Sequence, residues 1–247
     1  NALALKDCSN GEFIQQYAGS WICQDYDPID QYDNTLVVAK SGARFSTITA
    51  AMDSITDAST YNRYVILVQP GIYSEHVEMK DNVSIQGVDK DSVFIADPAT
   101  TATSGTINAG TNTSISNVTI YAQAAAGGSP ATIGVYADET SSTTLDNVKI
   151  QMIDPIGNTY GIYTKSSMTI YNSSIYAGDS PVSAVGIYAE AYLTMRHSEV
   201  VSSGSPNGVG IQFSDVSESN IVANISNSSI TAYGRNSGDT CIAFTQT

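Results

Sequence analysis

The sequence predicts an all-β protein: a right-handed parallel β-helix (solenoid) with a short N-terminal capping helix and an N-terminal arm. Three observations predict it. A six-residue motif recurs every 25 or 30 residues, a second motif recurs between its copies, and neither shows helical periodicity.

The first motif reads ISNVTI at 115–120, LDNVKI at 145–150, IYNSSI at 170–175, MRHSEV at 195–200 and ISNSSI at 225–230, with Ile85 of SIQG one period upstream. The second reads IGVYADE from Ile133, YGIYTKS from Tyr160, VGIYAEA from Val185 and VGIQFSD from Val209, with a weaker echo, TCIAFTQ, from Thr240. Each unit therefore holds two or three short strands separated by Gly, Ser, Asn and Pro, which is one coil of a solenoid per repeat. About six coils are expected over 80–247.

Alternation along a strand assigns the faces. The columns Val118/Val148/Ser173/Ser198/Ser228, Ile120/Ile150/Ile175/Val200/Ile230 and Ala122/Met152/Ala177/Ser202/Ala232 face a narrow interior, and Tyr121, Gln151, Tyr176, Val201 and Thr231 face out. One coil buries three to five apolar side chains, roughly 5–12 kcal/mol at about 1.5–3 kcal/mol each. Ordering a coil costs several times that, so a lone coil does not fold and stability is collective.

The recurring Asn has two readings. Asn117, Asn172 and Asn227 lie in N-x-S/T sequons, as do Asn82, Asn112 and Asn224, which would make them glycosylation acceptors in a secreted eukaryotic protein. Alternatively, Asn117, Asn147, Asn172 and Asn227 form a structural asparagine ladder at a sharp turn repeated once per coil, because Asn tolerates left-handed backbone and stacked amides bond to one another. The register favours the ladder, with His197 as a substituted rung and not a catalytic base.

Upstream, Ile48, Ala51, Met52 and Ile55 recur at helical spacing within 45–55, a short amphipathic helix suited to closing the solenoid's open end. A strand over Tyr64–Val68, a turn at Pro70 and Gly71 and another strand follow. The stretches VAKSGARFSTITAAM (38–52) and RYVILVQPGIYSEHV (63–77) resemble the amino-terminal coil of pectin methylesterases and related pectin lyase-like β-helix proteins. The resemblance implies the fold. It also implies an esterase whose later motifs supply two aspartates, a glutamine and an arginine, but no Q-D-T-L, D-F-I-F-G or L-G-R-P-W follows residue 80. Accordingly no catalytic residue is assigned.

Residues 1–35 read as an arm and linker, and 36–247 as the β-helix. CSNGEFIQQYAGSWIC, from Cys8 to Cys23, resembles Cys-x-x-Gly…Trp-x-Cys segments of repetitive surface and phage-tail-type proteins. Its Phe13, Tyr17, Trp21 and Ile22 suit packing on a neighbouring surface, and Asp25, Asp27, Asp30 and Asp33 make a polar linker. Cys8 and Cys23 could form a disulfide in an oxidising compartment, leaving Cys241 over.

Composition excludes some functions. With 24 acidic against 10 basic residues, the net charge of −14 repels nucleic acid and anionic membranes. No apolar run is long enough to span a membrane. Two distant histidines and no D-x-D-x-D-G loop give no metal site, and no cofactor is expected. A charged fraction of only 14% leaves Ser, Thr, Asn, Gly and Tyr to cover the surface, as in extracellular β-rich proteins. A secreted chain would have lost its signal segment or used another export route.

Two surface features remain. Aligned on the second motif, Asp138, Lys165 and Glu190 form an outward column, either a site or an exposed charge ladder. Tyr136, Tyr163 and Tyr188 form another, and Tyr121 and Tyr176 a further outward pair. Such tyrosine rows bind sugar rings, pack against a partner, or stack on one another as cross-strand pairs. No helix or charged segment follows the strand near Thr247, so either the chain continues or another molecule covers an unpaired edge that templates association. Together these features suggest a non-catalytic extracellular or virion-surface module, a spike, fibre or filament subunit. It would form homo-oligomers through its coil ends and arm, with surface polysaccharide as a possible ligand. The alternatives are a pectinesterase- or lyase-like carbohydrate-active enzyme and a monomeric glycan-binding lectin.

Overall fold

A computed structural model describes residues 12–17, 20–25, 34–100, 103–124, 131–153, 155, 157–204, 207–214, 223–234 and 239–245. The chain divides into two compact units, Asn1–Asp33 and Asn34–Thr247.

In the first unit Glu12–Tyr17 and Ser20–Asp25 pair antiparallel, from Glu12↔Asp25 to Tyr17↔Ser20. Cys8, the acidic positions between 27 and 33 and the side chain of Cys23 lie outside the described residues, so the proposed disulfide does too. Among the described residues Cys241 is a free, exposed thiol.

The second unit is a right-handed parallel β-helix, open and not closed into a barrel. Its first sheet stacks Asn34–Val38, Tyr64–Val68, Val83–Gly87, Thr113–Ser116, Thr143–Asp146, Met168–Tyr171, Leu193–Arg196 and Ala223–Ser226. The second stacks Gly71–Ser74, Val93–Thr100, Thr119–Ala124, Lys149–Ile153, Ser174–Ser180, Glu199–Gly204 and Ser229–Tyr233. The third stacks Val77–Glu78, Ile107–Asn108, Ala131–Ala137, Asn158–Thr164, Ser183–Ala189, Asn207–Ser214 and Thr240–Thr245. From Tyr64 onward each coil visits the three sheets in that order. The solenoid thus includes Asn34–Val38 and the whole 64–78 segment, upstream of the regular repeat.

Each sheet sends one aliphatic column inward. Ile66, Ile85, Ile115, Leu145, Ile170 and Met195 are register partners in the first sheet, all with no exposed surface. Tyr73, Ile95, Ile120, Ile150, Ile175 and Val200 line the second sheet, and Val77, Ile107, Val135, Ile162, Ile187 and Ile211 the third. Burying such a side chain contributes about 1.5–3 kcal/mol, so the three columns supply most of the cohesion.

A helix, α1 (Ile48–Ser54), buries Ile48, Ala51 and Met52 against this core. Thr47 caps it by accepting from Ala50 N. Both carboxylate oxygens of Glu75 accept from the next free donors, Ile48 N at 2.9 Å and Thr49 N at 2.8 Å, which suits the positive end of the helix. At the other end Lys80 Nζ donates to Ile55 O at 2.6 Å.

From the coil that begins at Thr113 onward, the corner between the first and second sheets uses left-handed backbone once per coil. Asn117, Asn147, Asn172, His197 and Asn227 have φ between 49° and 54°. Asn147 Nδ2 donates to Asn117 Oδ1 at 2.8 Å, and Asn227 Nδ2 lies 3.3 Å from His197 Nε2. Asn172 departs from the amide stack. Its Nδ2 donates to Asp146 Oδ1 at 2.8 Å, because a neighbouring carboxylate is a stronger acceptor than an amide. A second left-handed pair, Asn82 and Asn112, opens two strands of the first sheet, with Asn112 Nδ2 donating to Asn82 Oδ1 at 2.8 Å.

The residue after this turn shows why serine replaces valine in a buried column. Ser173 Oγ accepts from Val148 N, Ser198 Oγ from Ser173 N and Ser228 Oγ from Ser198 N, at 3.0–3.2 Å. Each hydroxyl also donates to the carbonyl two residues back, on Tyr171, Arg196 and Ser226. The hydroxyls are therefore satisfied inside the wall, and serine is tolerated there.

Two substitutions test this construction by chemical denaturation. Asn147→Ala should destabilise by about 1–2 kcal/mol because alanine resists left-handed backbone, whereas Asn147→Gly should cost less despite losing the same amide bond. Gly161→Ala should cost about 1–3 kcal/mol, since an added Cβ would meet Ile175 Cγ2 at 2.3 Å and Gly186 O at 2.6 Å.

Candidate functional site

The outer face of the third sheet carries the densest cluster of chemically distinctive side chains. Parallel register places Asn108, Tyr136, Tyr163, Tyr188 and Gln212 in one outward column. Tyr163 and Tyr188 stack with centroids 4.6 Å apart and planes 29° apart, and Tyr136 lies 5.7 Å from Tyr163 on its other side. All three are half-buried.

Tyr160, which strict alternation from Tyr163 would turn inward, joins the cluster. It meets Tyr163 edge-on at 5.3 Å and Tyr188 at 5.9 Å. The strand explains this. A Cβ on Gly161 would point at the interior side chain of Ile175, and Ile162 is itself in the core. Two consecutive inward positions offset the alternation, so residues 160 and 163 share the outer face. The signal is present in the sequence as YGIY, but only with knowledge that the strand bends at the glycine.

The rings are held by their surroundings. Tyr163 Oη donates to Glu190 Oε1 at 3.1 Å. Burial raises the Tyr163 phenol well above its ordinary value, and the negative charge of Glu190 raises it further. Burial, with Tyr188 alongside, also raises Tyr160. These phenols are hydrogen-bond donors at any physiological pH.

The charged column beside them differs from a simple ladder. Backbone bonds align it as expected, Lys165 N to Ala137 O at 2.8 Å and Glu190 N to Thr164 O at 2.9 Å. Lys165 Nζ, however, pairs with Glu139 Oε1 at 2.8 Å and not with Asp138. Asp138 Oδ1 is spent on its own turn, accepting from the amides and hydroxyls of Thr140 and Ser141 at 2.8–3.0 Å. Hydrogen bonding from Thr140, then Ser141, holds Asp138 below its ordinary carboxylate value, and Lys165 does the same for Glu139. Both are held as anions, the opposite of what a general acid requires. Glu190 instead accepts the Tyr163 hydroxyl.

Tyr121 and Tyr176 lie elsewhere, on the outer face of the second sheet, with Gln151 between them in register. Tyr121 stacks on Phe94 at 5.9 Å. The five tyrosines singled out from the sequence therefore form a triad on one sheet and a separated pair on another. The Asn ladder residues sit at the corner between the first and second sheets, away from the tyrosine column. Among the described residues no three His, Cys, Asp or Glu side chains converge as a metal-ligand set, and no helix is long and apolar enough to cross a membrane.

No protein-family model and no curated protein matches the chain. Solved structures do. A pectin methylesterase from Aspergillus niger aligns at 15% identity over 78% of this chain and 84% of that one, with a TM-score of 0.50. The carrot pectin methylesterase aligns at 10% identity over 90% of this chain and 91% of that one, with a TM-score of 0.45. The similarity to the first is one of fold: the chain has the pectin lyase-like parallel β-helix architecture.

A double-mutant cycle on Tyr163→Ala and Tyr188→Ala, read by thermal or urea unfolding, should give a coupling of about 0.5–1.5 kcal/mol. The same cycle on Tyr121 and Tyr176, two coils apart in register, should give none.

Proposed function

We propose that the chain is a non-catalytic, extracellular or virion-surface β-helical module, a structural and adhesive rod that recognises a surface glycan along the outer face of its third sheet. The observation that carries this reading is the tyrosine column Tyr136–Tyr163–Tyr188 with Tyr160 packed into it. Its members are fixed by register and by Glu190, so the face is preorganised and loses little freedom on binding. The inner ring faces are occupied by neighbouring tyrosines. What the column offers a ligand is its two end faces, toward Asn108 and toward Gln212, and a row of ring edges and phenolic hydroxyls. That suits a neutral, hydroxyl-rich polymer lying along the solenoid axis. A polyuronate fits badly against a chain of net charge −14. Homo-oligomerisation belongs to the same proposal, as spikes and filaments present many weak sites at once.

The second reading is a carbohydrate-active enzyme, and the fold similarity to a pectin methylesterase is what favours it. In that case the residue to test is Glu190, which lies next to Tyr163 on an exposed sheet face.

Binding to a glycan array, followed by titration with the best neutral oligosaccharide, separates these readings. The module reading expects saturable binding without turnover. Tyr136→Ala or Tyr188→Ala should each weaken it about tenfold or more, a loss of about 1.4 kcal/mol. Release of methanol or of shortened chains from a polysaccharide panel, abolished by Glu190→Gln, would install the enzyme in its place. Light scattering on the same protein reads the assembly: a monomer without glycan binding would remove the adhesive role altogether.

A further inference from the structure

At the head of the tyrosine column lies a second cluster, built around His76, that recognition by the tyrosine face does not use. Glu78 and Asn108 are register partners in the third sheet, and Asn108 is in turn the partner of Tyr136. His76 sits two residues before Glu78, in the connection between the second and third sheets. Its Nδ1 lies 2.9 Å from the carbonyl oxygen of Gly105 and 3.4 Å from Asp97 Oδ2. Its Nε2 lies 2.7 Å from Glu78 Oε1.

The partners dictate the protonation state. A carbonyl oxygen only accepts, so Nδ1 must carry a proton. An ionised carboxylate also only accepts, so Nε2 must carry one as well. Asn108 supports this assignment: its Oδ1 accepts from Gly105 N at 2.8 Å, which aims its Nδ2 at Glu78 Oε1, 2.6 Å away. Glu78 Oε1 is thus an acceptor for two donors. Asp97, with only 6% of its side chain exposed, adds a second negative charge on the far side of the ring.

We infer that His76 is a proton-gated clamp: as the imidazolium it binds Glu78 to the Gly105 carbonyl and holds the first coil closed, and on losing a proton it can hold only one of the two. Neutral His76 has one ring proton for two acceptors. The nitrogen without it turns a lone pair toward Glu78 Oε1 at 2.7 Å or toward the Gly105 carbonyl at 2.9 Å, and such an approach between two acceptors is repulsive. One side of the bridge parts, and Asn108, tied both to Gly105 N and to Glu78, is held less firmly next to Tyr136. The other side of the same turn holds the cap, through Glu75 on Ile48 N and Thr49 N and through Thr49 Oγ1, which donates to the His76 carbonyl oxygen at 3.2 Å. One proton therefore bears on both the helix that closes the solenoid and the first rung of the aromatic column. The charged groups facing the ring are Glu78 from the third sheet and Asp97 from the second. Glu75, the adjacent residue, is committed to the helix, the 105–108 segment is uncharged, and α1 reaches this turn through the uncharged Thr49.

The direction of the pH effect follows. Partial burial lowers the tendency of His76 to hold its proton, but the hydrogen bond and charge of Glu78, the Gly105 carbonyl and Asp97 together outweigh burial and raise it above its ordinary value of 6.5. A group raised on folding stabilises the folded state fully below its unfolded value, and that contribution is lost as pH rises through the folded one. The clamp is closed below pH 6.5 and opens as pH rises through the raised folded value.

The test is NMR titration of the two imidazoles together with amide hydrogen exchange from pH 5 to 9, corrected for the intrinsic pH dependence of exchange. His76 should titrate above 6.5. Protection of the Ile48, Thr49 and Gly105 amides should fall as pH passes that point, by up to about tenfold for each unit by which His76 is raised. Glu78→Gln, at a side chain 68% exposed and so compatible with folding, should bring His76 down and flatten the profile. His76→Gln should abolish the pH dependence, and His197→Gln should leave it intact. His76 titrating at or below 6.5, or an unchanged profile in Glu78→Gln, would overturn the clamp. These outcomes do not depend on whether the tyrosine column binds a glycan.

Discussion

In a parallel β-helix the backbone N–H and C=O groups of each strand are satisfied by the coils above and below, and by nothing else. That single constraint sets the register of every sheet here. It brings equivalent side chains to within about 4.8 Å of one another from coil to coil, so the chemistry of one position becomes the chemistry of a column. Aliphatic residues repeat inward because a break in a column would leave a void flanked by two coils. Ile66 to Met195 in the first sheet is one continuous example.

The corners obey the same rule with polar groups. From the coil that begins at Thr113 onward, the turn between the first and second sheets needs left-handed backbone once per coil, and five residues supply it: four asparagines and His197. Histidine is among the few side chains that tolerate this conformation, and its ring nitrogen lies within reach of the Asn227 amide. Just inside the turn, serine hydroxyls bridge successive coils by accepting one backbone N–H and donating to one carbonyl. Alternation between Val118 or Val148 and Ser173, Ser198 or Ser228 is therefore a choice between filling the corner and stitching it.

On the outer surface the same stacking works against one function while supporting another. Tyrosines one coil apart lie face to face, so their faces are used by each other and the column stiffens the sheet. The apolar area left for a ligand is confined to the column's ends, and the hydroxyl edge becomes its main recognition surface. The nearby carboxylates are similarly engaged: Asp138 in its turn, Glu139 with Lys165, Glu190 with Tyr163. At the head of the column the engagement is conditional, because His76 can bridge Glu78 and the Gly105 carbonyl only while it carries two protons.

The repeat alone determined the solenoid, the inward columns and the left-handed corner, because each is a local pattern multiplied by register; the capping helix was legible separately, from the helical spacing of Ile48, Ala51, Met52 and Ile55. Asn117, Asn147, Asn172 and Asn227 could be aligned from spacing, and so could Tyr136, Tyr163 and Tyr188. Tertiary structure decided what departs from periodicity. Tyr160 reaches the outer face only because the strand bends at Gly161. Lys165 chooses Glu139 because the turn at 138–141 has already consumed Asp138. Asn172 chooses Asp146 over the amide stack. The His76 centre was invisible in the sequence, since Glu78, Asp97, Gly105 and Asn108 come together only when three different strands and a connection are wound into adjacent coils. Spacing encodes which residues share a column; which partner a charged or hydrogen-bonding group takes depends on side-chain reach and competing acceptors, and these exist only once the coils are stacked.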